Sequence, residues 1–489
     1  MRTVIVLLAC LVGWMEVAVA APASDALSAS AARAEIRALY SGLRSAHYDL
    51  FAQTTEAEYS AFVAREADAI HGPVSRQDLA ITLQKITAFG HVGHARLDAP
   101  THNAVAAFAQ GARFIPLFIR VDGDKVILVE TADRQGRFQA GSELIALNGQ
   151  PVGQWLERLS RYVSAERAYM AHTLMEQSFP ILLGFELGDV EGVTVRVRDQ
   201  QGEPITGELR AITLAERAAI RASYPAPALA VNFSSRSFQI LPDRIGYLRP
   251  GPFMEASGTG ADPNYDVSAF ATFVDDAFQQ AIGAGIPDLI IDLRNNPGGD
   301  NSFSDHMVAW FADRPFRFAS SFTLRASAQS KAWYQRRQAQ VQADDTLRAL
   351  ADAEAAQANG TRYAYPLPWV EPRQGQRYSG RVHVLVNRHS YSNAASTAAM
   401  IQDYGFGRIL GEETADVPTT YASVLNFELP ETGFLVTYPK SRIVRPNGDQ
   451  TVRGVVPDIA IDRPLPDARD VVLDRALSLV LQDRDQSPR

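Results

Sequence analysis

Two short apolar segments, each followed by a turn and a helix-like stretch, constrain the fold of this chain most. Residues 288–293 and 382–386 are rich in aliphatic and β-branched side chains, which is typical of strands buried on both faces. Residues 245–248 begin the same alternation, and the helix-like stretch after them carries apolar side chains on one face. Alternating strands and helices predict a largely parallel sheet. We therefore expect an α/β core over residues 216–480.

Ser392 lies between the second apolar strand and a predicted helix. Residues 393–404 are rich in Ala and Met, and Gly405 stands at the position that commonly ends a helix. A hydroxyl at such a junction lies near free helix N–H groups and the positive end of the helix dipole, which favour a developing oxyanion. Serine is also a common N-cap residue. This segment alone therefore leaves two interpretations of Ser392, a nucleophile and a helix cap.

A glycine-rich turn follows the first apolar strand. Residues 292–300 read Asp-Leu-Arg-Asn-Asn-Pro-Gly-Gly-Asp. Such a turn leaves backbone N–H groups without side-chain cover, as an oxyanion hole requires, although the same residues also form ordinary tight turns. Two further motifs lie downstream, Gly-Glu-Glu-Thr at 411–414 and Arg-Gly-Val-Val-Pro-Asp-Ile at 453–459.

These four motifs, in this order, resemble the tail-specific, or C-terminal-processing, serine peptidase family. The resemblance covers roughly residues 90–462. It implies a ClpP/crotonase-like protease core, which in that family often carries a PDZ domain. It also implies that Ser392 is the nucleophile. The N–H of Asn393 and that of Gly298 or Gly299 would then form the oxyanion hole.

The general base departs from the best-known pattern of that family. Its Ser-Lys members carry a lysine three residues after the Thr of the Gly-Glu-x-Thr motif, where this chain has Val417. A Ser-Lys pair would need another lysine, such as Lys440, to fold into the site. A second branch, resembling the tricorn protease core, uses a histidine in a segment similar to residues 93–95. That resemblance assigns the base to His94, with His91 as the near alternative.

The residue that orients the histidine is the least defined part of the predicted site. The second branch uses a glutamate shortly before Gly-Val-x-Pro-Asp. The corresponding loop here, residues 446–453, contains no glutamate. We assign the role to Asp449. Gln450 is the alternative, and it would hold the imidazole without stabilising its positive form.

The chain divides into three predicted domains after a leader. Helical spacing of apolar residues predicts an N-terminal helical domain over 21–105, and strand patterns predict a β-rich domain over 106–215. Within the latter, residues 139–152 and the amphipathic helix after them resemble the centre of a PDZ domain, with an ordinary Asn-Gly hairpin as the alternative. The protease core over 216–480 carries a helical insertion at about 324–377.

The first twenty residues resemble a secretory signal peptide. Arg2 precedes an apolar run, and the Ala-Val-Ala of residues 18–20 fits a cleavage site. We therefore expect a periplasmic or secreted protein cleaved after Ala20, without a membrane span. Lipid attachment at Cys10 is the less favoured alternative. Since Cys10 is the only cysteine, the cleaved chain would have neither a disulfide nor a thiol nucleophile.

Charge and histidine spacing restrict the classes of partner and the functions that we expect for this chain. The net charge is −8, with no basic stripe, so we expect a protein or peptide substrate and no nucleic acid. The histidines lack metal-motif spacing, so we expect neither a metal nor a cofactor. The first hypothesis is an exported serine endopeptidase that forms an acyl-enzyme. A non-catalytic relative that binds peptides or apolar ligands is the alternative, and export argues against an acyl-CoA enzyme. The oligomeric state stays open.

Overall fold

A computed structural model describes residues 26–133, 135–222, 235–255, 266–462 and 469–486. The predicted signal peptide, 1–20, and Cys10 lie outside these ranges. Among the residues that the structure describes, no helix combines the length and the apolar character needed to cross a membrane. Within the same ranges, no group of three or more His, Cys, Asp or Glu side chains is arranged to hold a metal ion.

The N-terminal region is built from helices, as their apolar spacing predicts. Its first two longer helices begin at the capping residues Ser28 and Thr55. The last helix runs to Ala109, beyond the predicted domain boundary at residue 105. The elements of this region are β1 (Ala26–Leu27), α1 (Ala29–Ala46), α2 (Glu56–Asp68), β2 (Val74–Ser75), α3 (Arg76–Ala88), β3 (Arg96–Leu97) and α4 (Ala99–Ala109).

A six-stranded antiparallel sheet with two packed helices forms the β-rich region. Asn148 and Gly149 both adopt positive φ, 48° and 75°, in the turn between two of its strands, which confirms the predicted Asn-Gly turn. The strand order is β4-β5-β6-β8-β9, with β7 paired to β6. The elements are β4 (Leu117–Asp122), β5 (Lys125–Thr131), β6 (Glu143–Leu147), β7 (Gln150–Pro151), α5 (Val152–Ser160), α6 (Ala168–Leu187), β8 (Gly192–Arg198), β9 (Pro204–Arg210) and α7 (Leu214–Arg221).

The C-terminal half contains the predicted α/β core. Its elements are β10 (Ser237–Leu241), β11 (Ile245–Arg249), α8 (Ser268–Gly283), β12 (Asp288–Asp292), α9 (Asn301–Val308), β13 (Ser321–Arg325), α10 (Ala328–Arg336), α11 (Gln338–Ala343), α12 (Asp345–Ala355), β14 (Arg362–Ala364), β15 (Arg381–Val386), α13 (Asn393–Tyr404), β16 (Arg408–Gly411), β17 (Thr420–Glu428), β18 (Leu435–Val444), β19 (Ile459–Ala460) and α14 (Val471–Gln486). Six strands form one sheet in the order β10-β11-β12-β15-β16-β19. All pairs except β10 with β11 are parallel, which confirms the prediction.

The two central strands of this sheet, β12 and β15, are buried because helices cover both faces. On one face, Ile291 and Val384 pack with side chains of α8, α9 and α13. On the other face, Ile290 and Leu385 pack with α14. The central positions of both strands are consequently apolar, as the sequence pattern indicates, while Asp288 and Asp292 stand at the ends of β12 and Arg381 and His383 lie in β15.

A second sheet, which the sequence patterns do not predict, joins the core to the N-terminal region. It is antiparallel, with the order β14-β13-β18-β17, and β3 also pairs with β18. Leu97 lies opposite Val436, and Arg96 lies opposite Thr437. This pairing holds the segment just before β3, which contains His94, against the core.

The predicted helical insertion packs on the same N-terminal helices. Residues 324–377 contain α10, α11 and α12. Trp333 and Tyr334 of α10 belong to one buried apolar cluster with Leu39 and Leu83 of the N-terminal helices. The insertion therefore extends the core of the N-terminal region.

Candidate active site

Ser392 occupies a strained position between β15 and α13. Its φ of 53° and ψ of −123° lie in a region that favours glycine, and holding a serine there costs about 1–3 kcal/mol. Its side chain makes no capping hydrogen bond. The interpretation of Ser392 as an ordinary N-cap is therefore wrong, because its hydroxyl accepts no N–H of the first helical turn and lies 3.2 Å from His94 Nε2 instead.

The glycine-rich turn after β12 stacks against the loop that carries Ser392. The Asn295 N–H donates to Asn387 Oδ1 at 3.0 Å, and Asn387 Nδ2 donates in return to Asn295 Oδ1 at 2.9 Å. The Tyr391 N–H donates to the carbonyl of Asn296 at 2.9 Å. These bonds extend the parallel pairing of β12 and β15 beyond the strand ends, so the two predicted motifs meet at one edge of the sheet.

The two glycines of this turn have different roles beside the serine. A Cβ on Gly298 would lie 2.6 Å from Asn393 N and 2.8 Å from Ser392 Cβ, so only glycine fits there. The Gly298 N–H is occupied by Asn296 Oδ1 at 2.9 Å. Within the described part of the chain, the N–H groups of Gly299 and Asn393 have no hydrogen-bond partner. Gly299 and Asn393 are therefore the free donors, and Gly298 provides the space.

His94 reaches Ser392 although the two residues are 298 positions apart in the sequence. Its Nε2 lies 3.2 Å from Ser392 Oγ. The backbone before it is fixed because the Tyr391 hydroxyl donates to the Gly93 carbonyl at 3.1 Å. His91 is exposed, and no hydrogen bond joins it to Ser392. Of the two candidate histidines, the structure brings only His94 to the serine.

The surroundings of His94 keep its imidazole neutral. Burial, and secondarily the charge of Arg96, lower the pKa of His94 to about 4. A neutral ring nitrogen at this distance can accept the hydroxyl proton. The Nδ1 atom is buried and has no hydrogen-bond partner among the described residues. The backbone carbonyl of Tyr421 favours the charged ring, but without the geometry of a full hydrogen bond.

The structure corrects the assignment of Asp449 as the orienting residue. Asp449 is exposed, and its carboxylate accepts the N–H and the hydroxyl of Thr451 at 2.9 and 2.7 Å. Gln450 accepts from Arg442 at 2.8 Å. Neither side chain bonds to His94, because the carboxylate of Asp449 closes its own turn after Gly448.

No lysine replaces the one that is missing at Val417. Val417 is buried beside the site. Lys440 is buried too, but its Nζ donates to the hydroxyl of Tyr334 in the apolar cluster of the N-terminal region. Among the described residues, no lysine side chain bonds to Ser392. A Ser-Lys pair therefore does not form in this structure.

The two downstream motifs hold the loops around the site together. Glu412 accepts from Arg388 at 2.9 Å. The Val455 N–H donates to Thr414 Oγ1 at 2.8 Å, and the Thr414 N–H donates to the Val455 carbonyl at 3.2 Å. A Cβ on Gly454 would lie 1.8 Å from the Thr414 carbonyl oxygen. The glycine of the Gly-Val-Val-Pro-Asp motif is therefore required by this close contact.

Sequence reasoning missed two buried carboxyl groups next to the serine and histidine. Asp416 accepts the Ser392 N–H, and burial raises its pKa to about 6. Burial, and then the charge of Asp416, raise the pKa of Glu166 to about 7, and neither Glu166 oxygen has a partner among the described residues. The sequence contains one indication that Asp416 lies near the serine, which is its position directly before Val417, where Ser-Lys members of the family carry the lysine.

Comparison with known proteins gives a family match for part of the chain and a fold. The family model described as peptidase family S41 matches residues 244–461. The structure of mature CPAF complexed with lactacystin is similar, with 18% identity and a TM-score of 0.61, covering 93% of this chain and 98% of that one. A second structure of mature CPAF has 16% identity and a TM-score of 0.59, covering 94% and 99%. No curated protein gives a significant sequence match.

A further structure, the photosystem II D1 C-terminal processing protease, has 18% identity and a TM-score of 0.43, covering 88% of this chain and 93% of that one. At their low identities, the two CPAF structures show the fold alone. The segment matched by the family model contains Ser392, both glycines of the turn at 297–299 and the loop at 453–459. Residues 244–461 therefore carry the sequence signature of peptidase family S41, and the chain is a serine-type peptidase.

Proposed function

We propose that this chain is an exported serine endopeptidase that uses a Ser-His pair. Ser392 Oγ attacks the carbonyl carbon of a peptide bond while His94 Nε2 takes the hydroxyl proton and then gives it to the leaving amine. Water, deprotonated by the same imidazole, hydrolyses the acyl-enzyme and restores the serine. The observation that carries the proposal is the 3.2 Å separation of Oγ and Nε2.

The developing oxyanion would be stabilised by backbone groups. The free N–H groups of Gly299 and Asn393 flank Ser392, and Asn393 begins α13, so the positive end of the helix dipole adds to their effect. Donors fixed in this way need no rearrangement when charge develops. Loss of one such donor typically costs on the order of 100-fold in kcat.

The substrate in this proposal is a protein or peptide. The β-rich region over 106–215, which we propose to be PDZ-like, would recognise or gate a peptide end. Export follows from the first twenty residues, whose sequence fits a cleaved signal peptide. The periplasm or the extracellular space is then the compartment of action.

A fluorophosphonate probe, which reacts with activated serines, tests the nucleophile and its base. We expect the protein that consists of residues 21–489 to react with the probe. The Ser392→Ala variant should not be labelled, and the His94→Ala variant should be labelled at least about 100-fold more slowly than the wild type. His91→Ala is the matched control and should label like the wild type. If the folded wild type takes no label, the proposal fails and the non-catalytic peptide-binding relative is favoured, an outcome to which the unpartnered His94 Nδ1 would contribute.

A further inference from the structure

Asp416 lies directly behind the nucleophile. It is 1% exposed. One carboxylate oxygen, Oδ2, accepts the backbone N–H of Ser392, and the other, Oδ1, accepts the N–H of Val417 at 2.9 Å. Both oxygens are therefore used on backbone groups, one of which belongs to the serine itself.

The loop around Asp416 is anchored from two sides. Thr414 Oγ1 donates to the Asp416 carbonyl at 2.8 Å and accepts the Val455 N–H, also at 2.8 Å. From the β-rich region, Arg167 donates to the carbonyls of Thr414 and Ala415 at 2.8 and 3.1 Å. A carboxylate held in this way can fix the position of the group that it accepts.

The backbone of Ser392 needs such a restraint. A serine at φ 53° and ψ −123° relaxes toward ordinary backbone angles unless its surroundings oppose the change. Relaxation would swing Cβ, and with it Oγ, away from His94. The bond to Asp416 also occupies the Ser392 N–H, which leaves the oxyanion to the N–H groups of Gly299 and Asn393.

We propose that Asp416 is a positioning residue for the nucleophile, whose carboxylate holds the Ser392 backbone so that Oγ faces His94 Nε2. The inference rests on the proposed function and names a device within it. The loop that supplies the base in Ser-Lys peptidases acts here on the backbone of the nucleophile instead.

This role predicts a specific pH dependence of the activity. Only the ionised carboxylate of Asp416 accepts both N–H groups fully, so the restraint on Ser392 weakens as Asp416 binds a proton. Burial raises the pKa of Asp416 to about 6 while Arg167 opposes the rise. The other groups that interact with it are Glu166, which is largely neutral below its own raised pKa of about 7, and the Tyr391 hydroxyl, whose pKa is also raised. His94 stays neutral down to about pH 4. As the pH is lowered, peptidase activity should therefore fall with an apparent pKa near 6.

The kinetic test compares the wild type with Asp416→Asn and Asp416→Glu on one peptide substrate between pH 3.5 and 8. We expect Asp416→Asn to lose on the order of 100-fold in kcat with KM within about threefold, since the serine is misplaced but substrate contacts remain. In the pH profile of this variant, the decrease of kcat on the acid side should move to about pH 4, the pKa of His94. Asp416→Glu keeps the negative charge, so it should retain part of the wild-type kcat and should lose activity below about pH 6, as the wild type does.

Asp403→Asn is the matched control. Asp403 lies on α13, the helix that follows Ser392, and its buried carboxylate also accepts a backbone N–H, that of Asn447 at 3.1 Å. This variant should keep the wild-type kcat and pH profile. An Asp416→Asn enzyme within twofold of the wild-type kcat, or a wild-type acid limb near 4, overturns the inference.

A structural measurement separates failure of the inference from failure of the proposed function. In crystals of the wild type, Ser392 should keep positive φ at pH 7.5 and lose it at pH 4.5, whether or not the protein cleaves anything. Unchanged Ser392 geometry at both pH values, with Asp416→Asn also unchanged, refutes the role of Asp416 even in an active enzyme. An inactive wild type with the expected pH-dependent geometry refutes the peptidase alone.

Discussion

At the scale of single residues, the site depends on close backbone approach around Ser392. Gly298 packs against both Ser392 and the first N–H of α13, and Asp416 holds the backbone of the serine from the other side. A serine in a glycine-favoured conformation stays there only while its neighbours exclude the alternatives. Small changes in these neighbours should therefore affect the rate more than the fold.

Gly298→Ala tests the close approach. Its Cβ would lie 2.6 Å from Asn393 N, so the proposed oxyanion donor and the serine must shift. We expect kcat for peptide cleavage to fall by on the order of 100-fold, since displacements near 1 Å cost about that much. Steady-state kinetics on one peptide substrate would measure it.

Gly360→Ala separates the clash from backbone strain. Gly360 has φ of 89°, close to the 87° of Gly298, but nothing lies within 4 Å of its Cβ position. Both variants share a similar backbone conformational cost, and Gly298→Ala should lose additional stability because its Cβ also meets backbone atoms. Gly360→Ala should keep the wild-type kcat. Equal losses of activity in the two variants would mean that the approach of Gly298 to the serine has no special role.

At the scale of elements, a buried ion cluster connects the serine loop to the β-rich region. Arg388, four residues before Ser392, donates to Glu176 of α6 at 2.6 Å and to the Val121 carbonyl of β4 at 2.8 Å. It also bonds to Glu412 of the loop after β16. The side chains of Arg388 and Glu176 are both 4% exposed, so neither charge can turn to water if the other is lost.

Arg388→Met should therefore destabilise the protein by about 3–5 kcal/mol, because it leaves the buried carboxylate of Glu176 without its arginine, whereas Glu412 keeps its pair with Arg120 at 3.1 Å. Glu176→Gln should lower the free energy of unfolding less in the Arg388→Met variant than in the wild type. The coupling energy between the two substitutions should be about 0.5–3 kcal/mol. Urea unfolding of the four proteins in this cycle measures both values. Arg44→Met, which breaks the exposed pair with Glu56, should change stability by less than about 1 kcal/mol. Strict additivity in the cycle would contradict the coupling.

At the scale of the whole molecule, the N-terminal region and the protease core share one apolar cluster and one sheet. Leu39 of α1 packs in the same cluster as Leu425 and Val436 of the antiparallel sheet. β3 adds to β18, and His94 precedes β3 directly. The proposed general base, His94, is thus supplied by the N-terminal region and positioned by the docking of that region on the core.

Hydrogen exchange can test whether these parts unfold together. The amides of α1 and α3 should show the same opening free energy as those of β18, because they share a core. Leu39→Ala removes a fully buried side chain and should lower that value by about 2–5 kcal/mol in both regions. Leu159→Ala, equally buried in the β-rich region, should leave β18 protected. Open N-terminal helices beside a protected β18 would contradict joint unfolding.

The sequence by itself determined the parallel sheet, the helix from Asn393 to Tyr404 and the places of Ser392 and the glycine turn, because these follow from local hydrophobic periodicity and turn chemistry. Resemblance to a family added His94. Only the tertiary structure decided that β3 joins β18, that Asp449 closes its own turn and that Asp416 holds the serine. Those outcomes depend on contacts between segments distant in sequence, and local patterns carry no information about which buried partner a backbone N–H or a carboxylate will find.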